Sequence, residues 1–392
     1  MKLFILLFMI TLNFQHTNAQ IIWEKTFGTS GWDESRDIAL SNDGGYVLAG
    51  VGDYAEDICP HDYWIFKLDA NGDSVWNKCY DLSIGYSAVA VNTCSDGGYI
   101  ITGSYDTILY SQKSNIAILK IDSEGNEEWH RSFGGDSMDQ AVDVVPTLDG
   151  GFIFVGTTWS YDGSIPNYHD QGDVWVIKMD SSGYLMWQQA YGGSGFDEGI
   201  SIIETAPNKF LVVAHTQSQD GDILNPIGYN DVWVLQLDSS GNITWEESFG
   251  DSLDAELVND AVLLNDGSIM LAGYSYLNDF GLNATDLFVM KLNSSGELKW
   301  VQYFGSAYFD YNGSLTVLSS GTIVLTGTVE AAGISGDVNC FHGTEYSDIW
   351  MVLLDTTGNM QDQRCLGGYQ ADYNDVLVED ASKNLVLAGT TL

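Results

Sequence analysis

One hairpin sequence, present six times, constrains the fold of this 392-residue chain more than any other feature. In DVWVLQLDSSGNITWEESFG (231–250), alternating apolar residues predict a strand, Asp-Ser-Ser-Gly predicts a tight turn, and a second strand follows. The same pattern returns at 62–76, 115–129, 173–187, 286–300 and 348–362. Such regular spacing indicates an array of one supersecondary unit.

Two further predicted strands precede each hairpin, as in SRDIALSNDGG (35–45) and YVLAG (46–50). Residues 374–389 supply the same two strands of a seventh unit, and IIWEKTFG (21–28) matches only the second half of the hairpin. Repeated four-stranded units are typical of β-propeller blades. We therefore predict an all-β fold, a seven-bladed β-propeller of four-stranded antiparallel blades. Its last blade is closed by the N-terminal strand and lacks its third strand, which suggests C-terminal truncation.

The N-terminus has the features of a signal peptide, predicted at residues 1–19. Lys2 precedes an apolar run, Leu3 to Leu12, and Thr17-Asn18-Ala19 resembles a cleavage site. Residues 20–392 are then a single propeller domain. No later segment reaches the roughly 18 apolar residues of a membrane span, so no membrane insertion is expected. The chain is predicted to be secreted or displayed at the cell surface.

The charge balance argues against a nucleic-acid partner. With 14 basic and 54 acidic residues the formal net charge is −40, which repels the phosphates of nucleic acids. An acidic surface favours solubility, and we expect a monomer without a cofactor. Calcium ligation by the acidic loops is the alternative.

Five cysteines permit two disulfides and one free thiol. Cys59 and Cys340 precede the hairpin in the first and sixth copies, while Cys79 and Cys365 follow it in the same copies. These equivalent places predict Cys59–Cys79 and Cys340–Cys365, with Cys94 free. Unpaired, buried cysteines are the alternative.

The repeats resemble a known family. YGGSGFDEGISII, FLVVAHTQS and DVWVLQLDSSG are similar to the SBBP-type bacterial seven-bladed propeller repeat and to propeller-repeat proteins exported by Bacteroidetes. The resemblance covers residues 21–392 and implies the propeller fold. It implies no particular activity, since such folds host unrelated functions.

Positions that recur in most copies are expected to be structural. They include the lysines at 67, 120, 178 and 291, which suit ion-paired buried side chains. They also include a ring of aspartates near the channel mouth, for which hydrogen bonding within their own turns is favoured over catalysis: Asp33, Asp139, Asp197, Asp310 and Asp372.

Insertions at 159–172, 217–230 and 330–347 differ between copies and are the predicted binding loops. Their candidate ligand-binding residues are Trp159, Tyr161, Asp162, Tyr168, Asp220, Asp222, Tyr229 and Asp337, joined by Phe341 and Tyr346. We predict a non-catalytic scaffold that binds a protein or glycan through these loops. The alternatives are a polysaccharide hydrolase or lyase using carboxylates at the channel mouth, and a structural spacer in a larger surface protein.

Overall fold

The structure is a computed structural model that describes residues 4–11, 20–28, 33–51, 63–82, 88–106, 113–162, 165–228, 230–251, 255–277, 284–330, 336–341, 346–368 and 371–391. Every strand in these ranges belongs to one of seven four-stranded antiparallel sheets. None of these residues forms a helix long and apolar enough to span a membrane. The predicted all-β, seven-bladed propeller is confirmed.

Two strands come before the first complete blade: β1 (Phe4–Thr11) and β2 (Gln20–Phe27). Blade one contains β3 (Glu34–Leu40), β4 (Tyr46–Val51), β5 (Tyr63–Leu68) and β6 (Ser74–Tyr80). Blade two contains β7 (Ala88–Thr93), β8 (Tyr99–Asp106), β9 (Ser114–Ile121) and β10 (Glu127–Phe133). Blade three contains β11 (Asp139–Pro146), β12 (Phe152–Thr158), β13 (Asp173–Met179) and β14 (Leu185–Tyr191).

The later blades repeat this order. Blade four contains β15 (Asp197–Ala206), β16 (Lys209–Thr216), β17 (Asp231–Leu237) and β18 (Ile243–Phe249). Blade five contains β19 (Glu256–Leu263), β20 (Ile269–Leu277), β21 (Ala284–Leu292) and β22 (Leu298–Phe304). Blade six contains β23 (Asp310–Val317), β24 (Ile323–Val329), β25 (Asp348–Leu354) and β26 (Met360–Leu366). The seventh sheet adds β27 (Asp372–Glu379) and β28 (Leu385–Thr391).

Blade seven is closed by the N-terminus, as predicted, but the structure fills the position expected to be empty. Its strand order is β2-β1-β28-β27, so β2 is outermost and β1 takes the third-strand place. Met9 pairs with Val386 and Trp23, the register that a third-strand lysine has in other blades. Residues from 20 onward contribute three strands, and the predicted cleavage site lies between the third and fourth strands of one sheet.

The core lies between successive blades. One cluster joins Ile153 and Val155 of blade three to Phe210 and Val212 of blade four, all fully buried. The outer-strand tryptophans cover the next blade's hairpin turn: Trp187 Nε1 donates a hydrogen bond to the Ser239 carbonyl at 3.0 Å. The outer-strand tryptophans therefore pack blade against blade, and each blade depends on its neighbours for burial.

Three of the four recurring lysines are buried and Lys291 is partly buried, and all four are ion-paired, as the sequence predicts. Lys67, Lys120 and Lys178 are at most 3 % exposed. Each ammonium lies 2.9 Å from a carboxylate in the turn between the first two strands of its blade, Asp43, Asp96 and Asp149 respectively.

The cysteine predictions agree with the structure as far as it describes them. Cys340 and Cys365 form a disulfide. Cys79 is also disulfide-bonded, and Cys59, its predicted partner, lies outside the described residues. Cys94 is a free, buried thiol, and burial raises its pKa to about 12. Cys94 therefore has little thiolate character.

Candidate binding face

Two sets of loops share one end of the propeller. The start of each first strand pairs with the end of the second, as Asp139 pairs with Thr158, so the loops before first strands and after second strands lie together. We call this end the variable-loop face, because the insertions occur there. The turns joining strands one to two and three to four form the opposite face.

The predicted aspartate ring is buried in its own loops rather than presented to a ligand. Asp33, Asp139, Asp197, Asp310 and Asp372 are at most 3 % exposed. Asp139 accepts hydrogen bonds from the Thr158 hydroxyl at 2.5 Å, the Ser160 hydroxyl at 2.9 Å and the Gly135 N–H at 2.8 Å. Asp197 is held by Thr216, Ser218 and Gly193 in the same way. The preferred structural interpretation of these carboxylates is therefore supported.

Three of the ring carboxylates face another carboxylate from the start of the preceding blade's third strand, whereas Asp139 faces the Asn115 amide. The three are Asp197, Asp310 and Asp372. A Cβ placed on Gly305 would lie 2.2 Å from Asp286 Oδ1 and 2.8 Å from Asp310 Oδ2, so both carboxylates crowd one small space that only glycine leaves free. Burial, then the nearby charge of Asp337, raises the pKa of Asp286 to about 6. Burial raises the pKa of Asp310 to about 7, with Asp286 and Glu330 contributing.

A pair of close carboxylates with raised pKa resembles the acid and base of a glycosidase, but the pair of carboxylates recurs at four successive blade junctions. Asp173 with Asp197, Asp231 with Glu256, and Asp348 with Asp372 meet in the same manner around Gly192, Gly250 and Gly367. A glycosidase needs one acid and one base in different environments. Repetition at successive blade junctions instead indicates a structural role.

Each insertion has one buried apolar residue that anchors it to its blade, and these anchor residues were not predicted from the sequence. Ile165, Ile223 and Val338 occupy equivalent places in blades three, four and six and are 2–4 % exposed. Each belongs to the hydrophobic cluster of its own blade. The sequence signal was Gly-Asp followed by Ile or Val at 221–223 and 336–338. The insertions are therefore anchored to the blades.

Acidic residues next to these anchors bind the loop of the neighbouring blade. Asp222 N–H donates to the Gly192 carbonyl at 2.9 Å, and the Gly192 N–H donates back to the Asp222 carboxylate at 3.2 Å. Asp337 forms the same pair of hydrogen bonds with Gly305, at 2.8 and 3.4 Å. Asp220 accepts the Ser194 N–H at 2.7 Å. These carboxylates satisfy backbone donors, which is ordinary turn chemistry.

The aromatic candidates divide into packed and exposed side chains. Trp159 stacks on Phe196 with ring centroids 5.6 Å apart, Phe341 packs against the blade-six core, and Tyr168 is partly buried. Tyr161 and Tyr346 are 73 % and 49 % exposed. Asp162 is exposed and takes the place of Asp220 in its loop, while Tyr229 lies outside the described residues.

Three exposed aromatic side chains on this face were not predicted from the sequence. Tyr276 ends the second strand of blade five, and Tyr308 and Phe309 precede the first strand of blade six; all three are 37–43 % exposed. They lie outside the long insertions, and the binding residues were predicted from the insertions. The short loop 305–309, GSAYF, was the sequence signal of Tyr308 and Phe309.

The central channel is lined by a second carboxylate set. Asp37, Asp143 and Asp260 follow the β-bulge in the first strands of blades one, three and five and line a cavity of about 470 Å³. Each accepts an N–H from the next blade: Val91 at 2.8 Å, Ile202 at 3.1 Å and Leu315 at 2.8 Å. Burial raises the pKa of Asp37 to about 8 and that of Asp260 to about 6.

No group of three or more His, Cys, Asp or Glu side chains is placed to hold a metal ion within the described part of the chain. Calcium binding therefore stays a prediction.

Comparisons with known proteins support the fold. No family model and no curated protein matches the chain. The Pan2 WD40 domain of Neurospora crassa is similar in structure, with a TM-score of 0.50 and 11 % identity over 91 % of this chain and 89 % of that chain. Cobalt-substituted Synechocystis ACO has a TM-score of 0.49 and 13 % identity, covering 85 % and 72 %. A Dyadobacter fermentans protein of unknown function has a TM-score of 0.46 and 10 % identity, covering 77 % and 93 %. At these identities the Pan2 likeness shows the β-propeller fold alone, and the two lower scores add nothing to it.

Proposed function

We propose that the protein is an exported, non-catalytic propeller that recognises a protein or glycan through its variable-loop face. The observation that carries this proposal is the set of exposed aromatic side chains on that face: Tyr161, Tyr276, Tyr308, Phe309 and Tyr346. Aromatic rings give large contact area at low entropic cost and are enriched at recognition sites. The anchored insertions hold the surrounding loops on a rigid scaffold, the usual arrangement of a binding surface.

A binding role fits the carboxylates better than the hydrolase or lyase alternative. The Asp139 and Asp197 side chains are occupied by hydroxyl and backbone donors of their own loops. The carboxylate pairs recur from junction to junction instead of marking one site. These observations support recognition. A structural spacer, the other alternative, would not need exposed aromatic rings on one face.

Export, cell-surface display and membership of the SBBP-type repeat family are part of this proposal. Their support is the N-terminal sequence and the repeat motifs. N-terminal sequencing of protein recovered outside the cell tests export: the proposal predicts a first residue near Gln20. Cleavage there removes β1, so the exported protein would retain β27, β28 and β2 of blade seven.

The experiment that tests recognition compares single substitutions on the two faces. Tyr161→Ala and Phe309→Ala should each weaken binding to a ligand found on a glycan array or in a panel of purified proteins by about tenfold, the typical effect of a contact worth 1.4 kcal/mol. Leu148→Ala is the matched control, because Leu148 is 73 % exposed on the opposite face. Equal weakening by all three, or by the control alone, would contradict the proposal.

A further inference from the structure

We propose that the ligand of the variable-loop face is a cationic polypeptide segment, rich in lysine or arginine, which seats on the exposed aromatic side chains of blades five and six. This rests on the binding function proposed above and adds the chemistry of the ligand.

The first support is the distribution of charge. The variable-face loops of blades three to six contain no lysine or arginine. Their described residues include eight carboxylates: Asp136, Asp162, Asp170, Asp220, Asp222, Asp251, Glu330 and Asp337. The basic residues after position 131 lie in strands or in opposite-face turns: Lys178, Lys209, Lys291, Lys299, Arg364 and Lys383. In blades three to six, the basic side chains are therefore absent from the loops of the variable-loop face.

On the opposite face, lysines neutralise part of the acidic charge. Asp149 pairs with Lys178 at 2.9 Å, and Glu297 pairs with Lys299 at 2.7 Å. On the variable-loop face of blades three to six, His169 pairs with Asp173 at 2.9 Å, and the loops contain no lysine or arginine. A face with several carboxylates and no lysine or arginine attracts cationic ligands and raises their association rate.

The second support is the place where aromatic and acidic side chains meet. The Glu330 N–H donates to the Phe309 carbonyl at 3.0 Å, which brings the end of β24 beside the exposed Tyr308–Phe309 loop. Tyr311 lies close enough to Glu330 and Tyr373 that both, after burial, raise its pKa. No lysine or arginine among the described residues pairs with Glu330.

Exposed rings beside a carboxylate form the surface that a lysine or arginine side chain binds best. The ring faces attract the cation, and the carboxylate accepts its charged hydrogen bonds. A neutral glycan would stack on the rings but gain nothing from the eight carboxylates. An anionic polysaccharide or a nucleic acid would be repelled. The combination therefore selects a cationic polypeptide.

The test is calorimetric titration of the full chain with decalysine and decaarginine, against decaglutamate and neutral cello- and chito-oligosaccharides. The variants are Glu330→Gln and Phe309→Ala, with Glu124→Gln as the matched control, because Glu124 is exposed in a hairpin turn of the opposite face. Circular dichroism melting of each variant confirms folding. We expect Glu330→Gln and Phe309→Ala to weaken decalysine binding about tenfold, and Glu124→Gln to change it less than about twofold.

The contrary outcomes are distinguishable. If decalysine binds all three variants as tightly as the parent chain, its attraction is a general effect of net charge and the inference fails. If a neutral oligosaccharide binds, decalysine does not, and Phe309→Ala abolishes saccharide binding, the recognition function stands and the cationic ligand is wrong. If Phe309→Ala and Tyr161→Ala affect no ligand that the chain binds, both proposals fail together.

Discussion

The ammonium nitrogen of Lys178 lies 2.9 Å from the Asp149 carboxylate, and the lysine side chain is only 2 % exposed. The same pair occurs in blades one, two and five, where the turn also contains aspartate. Blades four and six have no aspartate at that turn position, and Gln236 and Leu353 replace the lysine. The two positions therefore change together, because a buried lysine requires a partner for its charge.

The first prediction concerns this pair. In a double-mutant cycle of Lys178→Met and Asp149→Asn, measured by urea unfolding, we expect a coupling free energy of about 1 kcal/mol. The exposed Lys299–Glu297 pair is the control, with an expected coupling below about 0.5 kcal/mol. A coupling no larger than the control's would show that Lys178 gains nothing from Asp149.

The pH dependence of the same pair has a definite sign. Burial raises the pKa of Asp149, but hydrogen bonds from Thr147, Gly151 and Lys178 outweigh it and lower the pKa to about 2. The stability from this carboxylate is therefore present above about pH 4 and is lost as the pH falls towards 2. Asp149→Asn should flatten the unfolding free energy over that range.

The second prediction compares a buried anchor residue with an exposed residue of the same insertion. Ile223 is 3 % exposed, whereas Ile227, four residues later, is 44 % exposed. We expect Ile223→Ala to lower the free energy of unfolding by about 3 kcal/mol and Ile227→Ala by less than about 0.5 kcal/mol. Chemical denaturation of the two variants is the measurement. Equal, small effects would mean that the insertion is not anchored to blade four.

The third prediction concerns the disulfide of blade six. Cys340 and Cys365 are separated by 25 residues, and a crosslink of that span stabilises a fold by about 3 kcal/mol through the entropy of the unfolded chain. The Cys340→Ser/Cys365→Ser variant should lose about this much in urea unfolding. A loss below about 1 kcal/mol would count against the bridge as a stabilising element.

The fourth prediction follows from the channel carboxylates. The pKa of Asp37 is raised to about 8, chiefly by burial, with the charges of Asp143 and Asp260 contributing. A raised pKa means that the folded state holds a proton that the unfolded state releases above about pH 4. The corresponding stability is therefore lost as the pH rises from about 4 to about 8. Asp37→Asn should reduce this slope in urea unfolding between pH 5 and 8, and Glu124→Gln should leave it unchanged.

The fold was predictable because the hairpin repeats. Period-2 alternation and turn residues recur in six copies, so an error in one copy is corrected by the others. The third strand of blade seven was not predictable in this way. FILLFMIT has the same apolar run that a signal peptide requires, and an apolar run alone does not distinguish the two.

The binding face was predictable in position but not in detail. The insertions indicated which loops form this face. Ile223 and Asp222 show, however, that much of the insertion sequence holds the loop against its own blade and the neighbouring loop. Trp159 looks like a ligand-binding aromatic in the sequence, but its ring stacks on Phe196. Tyr308 and Phe309 were missed because exposure depends on how neighbouring loops pack. The sequence of a short loop does not reveal that packing.

The most direct measurement is hydrogen–deuterium exchange of the full chain with and without saturating decalysine. We expect slower exchange in segments 305–309, 328–330 and 346–347, around Tyr308 and Glu330. Exchange in the opposite-face turns, such as 122–126 and 238–242, should not change. Protection of those turns to the same extent, or protection confined to the channel strands, would contradict a ligand site on the variable-loop face.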